Sequence, residues 1–150
     1  MKARFDMGKA APQLYKAMGA LEQAQAGGRL SKTHKELIKI RASQINGCGF
    51  CLNMHSKDTL KNGEAAQRIF VLSAWRETNL FSEEERVILA MTEEITVLGQ
   101  HGLSEETYQQ AVRLFDEEQI AQIIMAVVII NAWNRIAIST GASADVAPES

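Results

Sequence analysis

The stretch that decides the fold runs from Glu36 to His55 and reads ELIKIRASQINGCGFCLNMH. It holds both cysteines of the 150-residue chain, Cys48 and Cys51, within one C-x-x-C. The Asn46-Gly47 dipeptide before the first cysteine favours a turn. We therefore predict that the C-x-x-C opens a helix over about residues 48–62, which a second Asn-Gly dipeptide ends.

In such a helix two thiols and an imidazole share one face. Cys48, Cys51 and His55 fall at positions i, i+3 and i+7, with neighbouring Cβ atoms roughly 5 to 6 Å apart. Two thiols at this spacing can form a disulfide after a small adjustment, because bridged Cα atoms lie about 4.4 to 6.8 Å apart. His55 lies one turn after Cys51 and is placed to take its proton.

Two effects are expected to favour the thiolate over the thiol in this helix. The positive end of the helix dipole acts most on Cys48, which is nearest the helix start. The imidazole of His55 acts most on Cys51, which is four residues before it. The sequence does not rank the acidity of the two thiols.

Glu36 is a carboxylate among the apolar residues Leu37, Ile38, Ile40 and Ile45. A carboxylate in this setting is expected to be partly buried. Burial without a partner would cost several kcal/mol, so the side chain should accept a hydrogen bond. An imidazole from the next helix is the natural donor.

The same residue types also allow structural interpretations. Two cysteines can be small core side chains, because cysteine is among the most buried residue types. A zinc site formed by Cys48, Cys51, His55 and Glu36 is chemically possible, although structural zinc usually takes Cys and His ligands from separate knuckles. His55 could be a satisfied polar residue on a helix flank, and Glu36 a solvated side chain.

Length and charge narrow the class of protein. The chain is long enough for one domain, predicted over residues 1–150, and its net charge of −2 argues against a nucleic-acid partner. The N-terminal residues lack the apolar run of a secretory signal, so a cytoplasmic, reducing compartment is expected. There a C-x-x-C indicates redox or metal chemistry more often than a structural disulfide.

Apolar periodicity and capping residues predict an all-α fold of about six to eight helices. An arm over residues 1–11 and a tail over residues 141–150 are expected to be loosely held. The predicted helices cover about residues 12–26, 31–45, 48–62, 64–75, 82–98, 104–115 and 120–139, with N-cap signals at Ser31, Ser82, Ser104 and Asp116. Predicted inner faces are Leu14, Met18 and Leu21 in the first helix and Tyr108, Ala111, Val112 and Phe115 in the sixth.

The last helix is apolar on nearly every side between Ile123 and Ile130. A membrane span is disfavoured because polar residues interrupt it, and a buried strand is disfavoured because no Gly or Pro bounds the run. We predict a central buried helix. Asn131 and Arg135 lie one turn apart on it and indicate a buried polar cluster or a subunit contact.

The motif residues carry a family resemblance. Glu36, Cys48-Gly49-Phe50-Cys51 and His55, at this spacing, resemble the core motif of the AhpD-like alkyl hydroperoxidases of the carboxymuconolactone decarboxylase superfamily. The segment Asn131-Ala132-Trp133-Asn134-Arg135-Ile136 also looks like that family, and the likeness covers roughly residues 12–140 by its helical pattern. The resemblance implies a single AhpD-like helical domain.

The resemblance also implies a role for each motif residue. By analogy, Cys51 is the peroxide-reactive nucleophile, Cys48 the resolving thiol and proton donor, His55 the base, and Glu36 the group that orients His55. Where the best-studied members have a second histidine between the cysteines, this chain has Phe50, so the proton relay is shortened.

The function expected from the resemblance is a thiol-dependent peroxidase that uses a dithiol–disulfide cycle and needs no metal, flavin or haem. Its implied partners are a peroxide substrate and an external dithiol reductant, such as a lipoyl protein, with neither nucleic acid nor membrane. The family's habits and 46% hydrophobic residues suggest a homo-oligomer, a trimer or a hexamer. Two alternatives stay open: a decarboxylase-type enzyme of the same superfamily, and a non-enzymatic redox-sensing or partner-binding helical module.

Overall fold

The all-α class is confirmed by a computed structural model that describes residues 3–99 and 101–144. No strand occurs in these ranges. The helices are α1 (Met7–Ala10), α2 (Pro12–Ala26), α3 (Lys32–Asn46), α4 (Gly49–Lys61), α5 (Ala66–Phe70), a 3₁₀ helix (Leu72–Glu77), α6 (Glu83–Thr96), α7 (Glu105–Leu114) and α8 (Glu117–Thr140). The motif helix α4 therefore begins directly after Cys48, as predicted.

Helix starts follow the capping residues of the sequence. Ser31, Ser82, Ser104 and Asp116 each accept a backbone N–H hydrogen bond through the side chain at the start of α3, α6, α7 and α8. Full capping boxes form in α6 and α8. All four predicted N-caps are confirmed, because the side-chain oxygen satisfies N–H groups that the helix itself leaves unpaired.

The predicted helix over residues 64–75 is wrong as one continuous element. It is divided into α5 and the 3₁₀ helix, within which Ala74 has non-helical dihedral angles of φ −115° and ψ 29°. A 3₁₀ helix aligns residues three apart on one edge. Leu72 and Trp75, which have this spacing, are both buried in one apolar cluster with Leu37, Ile40, Phe81 and Leu89. Tertiary packing therefore overrides the α-helical pattern here.

Two of the predicted inner faces are buried only in part. On α2, Leu14 is 66% exposed and Leu21 is 37% exposed, so its apolar stripe lies largely in solvent. On α7, Ala111 is buried, as is Phe115 just after the helix, whereas Val112 is 47% exposed. In both helices, the face that packs against the rest of the chain is therefore narrower than the face formed by the apolar residues.

Helix α8 forms the axis of the main core. Ile123, Val127 and Ile130 of α8 pack with Ile38 of α3 and Ile88 of α6 in one apolar cluster. The helix is long and apolar enough to cross a membrane by length and composition, but this packing is that of a core helix. Burial is not complete: the side chains of Met125, Val128 and Ile138 remain substantially exposed.

The N-terminal arm is held more firmly than predicted. The backbone N–H of Arg4 donates to the carbonyl of Thr140 at 2.8 Å, and its guanidinium donates to the carbonyl of Ser139 at 2.9 Å. These bonds satisfy carbonyls at the C-terminal end of α8, which the helix itself leaves unpaired. Of the predicted loose segments, residues 1–2 and 145–150 lie outside the described residues.

The turn between α3 and α4 depends on one glycine. Gly47 has φ 67° and ψ 31°, in the left-handed region, and ends α3. We expect Gly47→Ala to destabilise the protein by about 1 kcal/mol, because a Cβ strains this conformation. Gly49→Ala is the matched control, since neither glycine has a neighbouring atom within 4 Å of an added Cβ and Gly49 is helical.

We expect Gly49→Ala to stabilise the protein by about 0.5 kcal/mol, because it restricts the unfolded chain without strain. The measurement is urea unfolding of both variants under reducing conditions. If both variants changed the free energy of unfolding in the same direction, the left-handed conformation of Gly47 would not be the cause of the destabilisation.

Candidate active site

The two cysteines are brought together at the start of α4. Cys48 is the N-cap residue, and its Sγ accepts a hydrogen bond from the backbone N–H of Cys51 at 3.4 Å. The two sulfurs lie 2.6 Å apart, inside van der Waals contact, and both residues are free thiols at 1% and 2% exposure. A small shift therefore suffices to close a disulfide.

The environment of Cys51 differs from the sequence-based expectation. Burial raises the pKa of the Cys51 thiol to about 12, and the adjacent Cys48 sulfur adds to the rise. Asn134 lowers the pKa, but by less than burial raises it. The expected preference for the thiolate is therefore wrong for Cys51 in the dithiol state, and a base must take its proton before it can react.

Such a base lies on the same helix. His55 is buried, and its Nδ1 lies 3.2 Å from Oε2 of Glu36. This contact across α3 and α4 brings the predicted pair together. With the Nδ1 proton directed at the Glu36 carboxylate, the neutral imidazole has Nε2 as its acceptor nitrogen. Cys51 and His55 line the same cavity, but no direct hydrogen bond joins these two described residues.

Glu36 is held in its ionised form. Burial would raise its pKa, but the hydrogen bond with His55 and the nearby charge of Lys39 together lower it. The Lys39 Nζ lies 3.4 Å from Oε1, and the hydroxyl of Thr59 donates to Oε2 at 3.4 Å. A carboxylate with these partners fixes the orientation of the imidazole and stabilises it when it becomes protonated.

Sequence reasoning missed a second layer of charge behind Glu36. The Lys39 Nζ also lies 3.0 Å from Oε1 of Glu22, and the indole of Trp133 donates to the other oxygen of Glu22 at 3.2 Å. Burial lowers the pKa of Lys39, but Glu36 and Glu22 outweigh it and raise the pKa. The signal in the sequence was the placement of Lys39 one turn after Glu36.

A buried amide network supports the thiols from α8. The fully buried Asn134 donates to the Ser43 hydroxyl at 2.9 Å and accepts from the Asn46 amide at 2.9 Å. Asn134 also lowers the pKa of the Cys51 thiol. This influence on the thiol was not predicted, although Asn134 stood in the α8 segment that carries the resemblance.

The polar cluster predicted at Asn131 and Arg135 forms, but it is not buried as predicted, because Asn131 is half-buried and Arg135 is exposed. Asn131 accepts from Asn46 at 2.9 Å and from Arg135 at 2.8 Å, and it donates to the Thr96 hydroxyl at 3.0 Å. The cluster continues the amide network one turn along α8. Half-buried amides that are paired in this way help to fix the orientation of α8 relative to α3 and hence the position of Asn134.

A cavity of about 540 Å³ opens onto Cys51 and His55. Phe50 and Met54 of α4 line it. Phe50, which stands between the two cysteines in place of a second histidine, therefore forms part of the wall of the thiol pocket. The first residue of α1, Met7, closes another side. The thiol is thus buried from bulk water but faces a space of ligand size.

Comparison with known proteins places the chain in a family. The profile of the carboxymuconolactone decarboxylase family matches residues 12–94, which include the whole C-x-x-C segment, His55 and Glu36. The chain belongs to the carboxymuconolactone decarboxylase family. This confirms the resemblance read from the motif.

Relatives of this carboxymuconolactone decarboxylase family member extend over almost the whole chain. It is 39% identical to the uncharacterised protein YdfG of Bacillus subtilis, over 94% of this chain and 96% of YdfG. A solved structure from Agrobacterium tumefaciens, of a protein of unknown function described as a candidate antioxidant defence protein AhpD, is 36% identical with a TM-score of 0.93. That match covers 97% of this chain and 100% of the other.

A solved structure with lower sequence identity shares the fold, and that protein is named as a debrominase. The debrominase Bmp8, solved in complex with 2,3,4-tribromopyrrole, is 20% identical with a TM-score of 0.83, over 93% of this chain and 74% of Bmp8. At this identity the match shows the shared all-α AhpD-like fold. The fold therefore supports more than one chemistry, and the reaction must be argued from the site.

Proposed function

We propose that this family member is a thiol-dependent peroxidase that reduces organic hydroperoxides through a Cys48/Cys51 dithiol–disulfide cycle. The observation that carries the proposal is a pair of free thiols 2.6 Å apart, one of which lines a cavity with a glutamate-oriented histidine. The AhpD description of the Agrobacterium relative supports the same class of reaction.

The reaction begins with removal of the Cys51 proton. His55 accepts this proton at Nε2 as the peroxide enters, while Glu36 stabilises the imidazolium through Nδ1. The Cys51 thiolate attacks the outer oxygen of the hydroperoxide and the O–O bond breaks. Cys51 becomes a sulfenic acid, and the alkoxide that leaves takes a proton from the imidazolium and departs as the alcohol.

Cys48 completes the oxidative half of the cycle. Its sulfur attacks the sulfenic sulfur of Cys51, an S–S bond forms, and the hydroxyl leaves as water with the thiol proton. One hydroperoxide and two thiols thus give one alcohol, one water and one disulfide. An external dithiol, such as that of a lipoyl protein, then returns two electrons and two protons by thiol–disulfide exchange.

Assembly and location belong to the same proposal. A trimer or hexamer would cover apolar side chains that this chain leaves exposed, including Leu14 on α2 and Val128 on α8. A cytoplasmic location fits a cycle that depends on continuous reduction of the disulfide, because that compartment keeps thiols reduced.

The test is a thiol titration. Reduced protein, freed of reductant, receives one equivalent of cumene hydroperoxide, and free thiols and cumyl alcohol are counted over time. We expect both thiols to be lost for each alcohol formed, with mass spectrometry locating a Cys48–Cys51 disulfide. Thiol loss no faster than in dithiothreitol at equal concentration would exclude the peroxidase and favour a non-enzymatic module.

A further inference from the structure

The walls of the cavity are aromatic and aliphatic. Phe5 and Tyr15 line it from the N-terminal segments, Phe50 and Met54 from α4, and Trp133 from α8. Tyr15 and Trp133 pack edge to face with ring centroids 5.4 Å apart, which makes this wall a firm apolar surface. The cavity is therefore built to bury a bulky apolar group beside the Cys51 sulfur.

Two carboxylates and one imidazole, that of His55, are the ionisable oxygen and nitrogen groups on the described cavity lining apart from Tyr15. Asp6 and Glu22 are carboxylates on its lining, and no lysine or arginine is among the described residues that line it. The nearby Lys39 is already paired with Glu22 and Glu36, so it offers no free cation to a ligand. Arg4 keeps its charge but is not among the described lining residues, and its guanidinium donates to the carbonyl of Ser139.

A ligand carboxylate would be unfavourable in this space. It would lose part of its hydration shell against the apolar walls, and no lysine or arginine of the described lining would replace the lost water. The exposed carboxylate of Asp6 would also repel it, with the repulsion weakened by solvent, whereas the charge of Glu22 is compensated by Lys39. An uncharged ligand of the same size meets neither cost.

We propose that this cavity selects bulky, electrically neutral hydroperoxides of the aryl-alkyl class and rejects anionic hydroperoxides of the same shape. This inference rests on the proposed peroxidase function and names its substrate class. The reaction is the one given above: the O–O bond of the neutral hydroperoxide breaks, Cys51 and Cys48 are oxidised to the disulfide, and the alcohol and water leave.

The experiment compares two hydroperoxides that differ in charge. They are 4-(2-hydroperoxypropan-2-yl)benzoic acid, an anion at neutral pH, and its uncharged methyl ester. Stopped-flow measurement gives the second-order rate constant of thiol oxidation in the reduced full-length protein. Each constant is divided by that for dithiothreitol, which removes intrinsic differences in peroxide reactivity. We expect this normalised constant to favour the ester by about tenfold or more, the scale of a 1.4 kcal/mol difference.

Added charge on the cavity lining should change this preference. Met7→Lys places a cation on the lining, and Met7→Gln changes polarity without charge. We expect the ester-to-acid ratio to fall below about threefold with lysine and to stay near the wild-type value with glutamine. Met54→Lys and Met54→Gln repeat the comparison from α4, in case the Met7 variants fold poorly.

The outcomes separate the inference from the function on which it rests. Equal normalised constants for acid and ester in the wild type overturn the charge selection while leaving the peroxidase intact. If neither hydroperoxide oxidises the protein faster than dithiothreitol, both proposals fall. If the lysine and glutamine variants lowered the ester-to-acid ratio equally, polarity and not charge would set the preference. This result would also overturn the inference.

Discussion

Cys51→Ser should abolish peroxide reduction, lowering the rate of peroxide consumption at least about 10³-fold, as expected when a nucleophile is removed. Cys48→Ser should still react with one equivalent of peroxide, but the reaction should stop at the Cys51 sulfenic acid because no resolving thiol remains. Each variant replaces one sulfur atom of the wild type by oxygen, and the two positions are three residues apart. They therefore separate attack on the peroxide from closure of the disulfide.

The structure gives the reason for this asymmetry. Cys51 lines the cavity, whereas Cys48, equally buried, is absent from the lining among the described residues. Cys48 instead holds the N-cap position of α4. Serine is a favoured N-cap residue, so Cys48→Ser should keep the helix start and remove only the resolving sulfur.

The measurement is sulfenic acid trapping with dimedone, followed by mass spectrometry. In Cys48→Ser one dimedone adduct is expected on Cys51 after one equivalent of cumene hydroperoxide. In Cys51→Ser no adduct on Cys48 is expected within the same time. A fast adduct on Cys48 in the second variant would reverse the two roles and would contradict the assignment of Cys51 as nucleophile.

Local sequence signals were enough for the fold class and for the centre of the site. Capping residues such as Ser31 fix where helices begin, because the N–H groups at a helix start must find acceptors nearby in sequence. The face shared by Cys48, Cys51 and His55 follows from helical spacing alone. The Glu36–His55 contact was predictable because a buried carboxylate requires a polar partner.

Properties that depend on tertiary packing were not predictable in this way. The acidity of Cys51 is set by burial against α8, which outweighs the local dipole and imidazole on which the prediction rested. The Lys39–Glu22–Trp133 contacts join three helices, and no local pattern in the sequence specifies such contacts. The end of α5 at Phe70 likewise depends on tertiary packing, because Leu72 and Trp75 pack against residues that are distant in sequence, such as Leu37.

Glu36→Gln should lower the second-order rate constant for peroxide about 10²-fold, a loss on the scale of general-base catalysis. The amide can still accept the Nδ1 proton of His55, but it no longer stabilises the imidazolium formed when Cys51 is deprotonated. It also leaves Lys39 with Glu22 as its remaining carboxylate partner. We expect a loss of stability of about 2 kcal/mol at neutral pH.

The pH dependence of this stability loss has a definite sign. The folded-state pKa of Glu36 lies below its ordinary value of 4.5, because His55 and Lys39 outweigh the effect of burial. The carboxylate therefore contributes stability above the unfolded pKa, and the contribution is lost as pH falls through the lower folded pKa. The difference between wild type and Glu36→Gln in urea unfolding should be constant above about pH 6 and shrink below 4.5.

Glu85→Gln is the matched control, because Glu85 is also a buried carboxylate whose pKa is lowered by a cation despite burial. Its partner Arg68 donates to it at 2.6 Å, and neither residue lines the cavity. Glu85→Gln should therefore lose stability with the same dependence on pH and keep the wild-type rate with peroxide. If both variants lost the same fraction of activity, the loss in Glu36→Gln would come from weakened folding, and Glu36 would have no part in orienting His55.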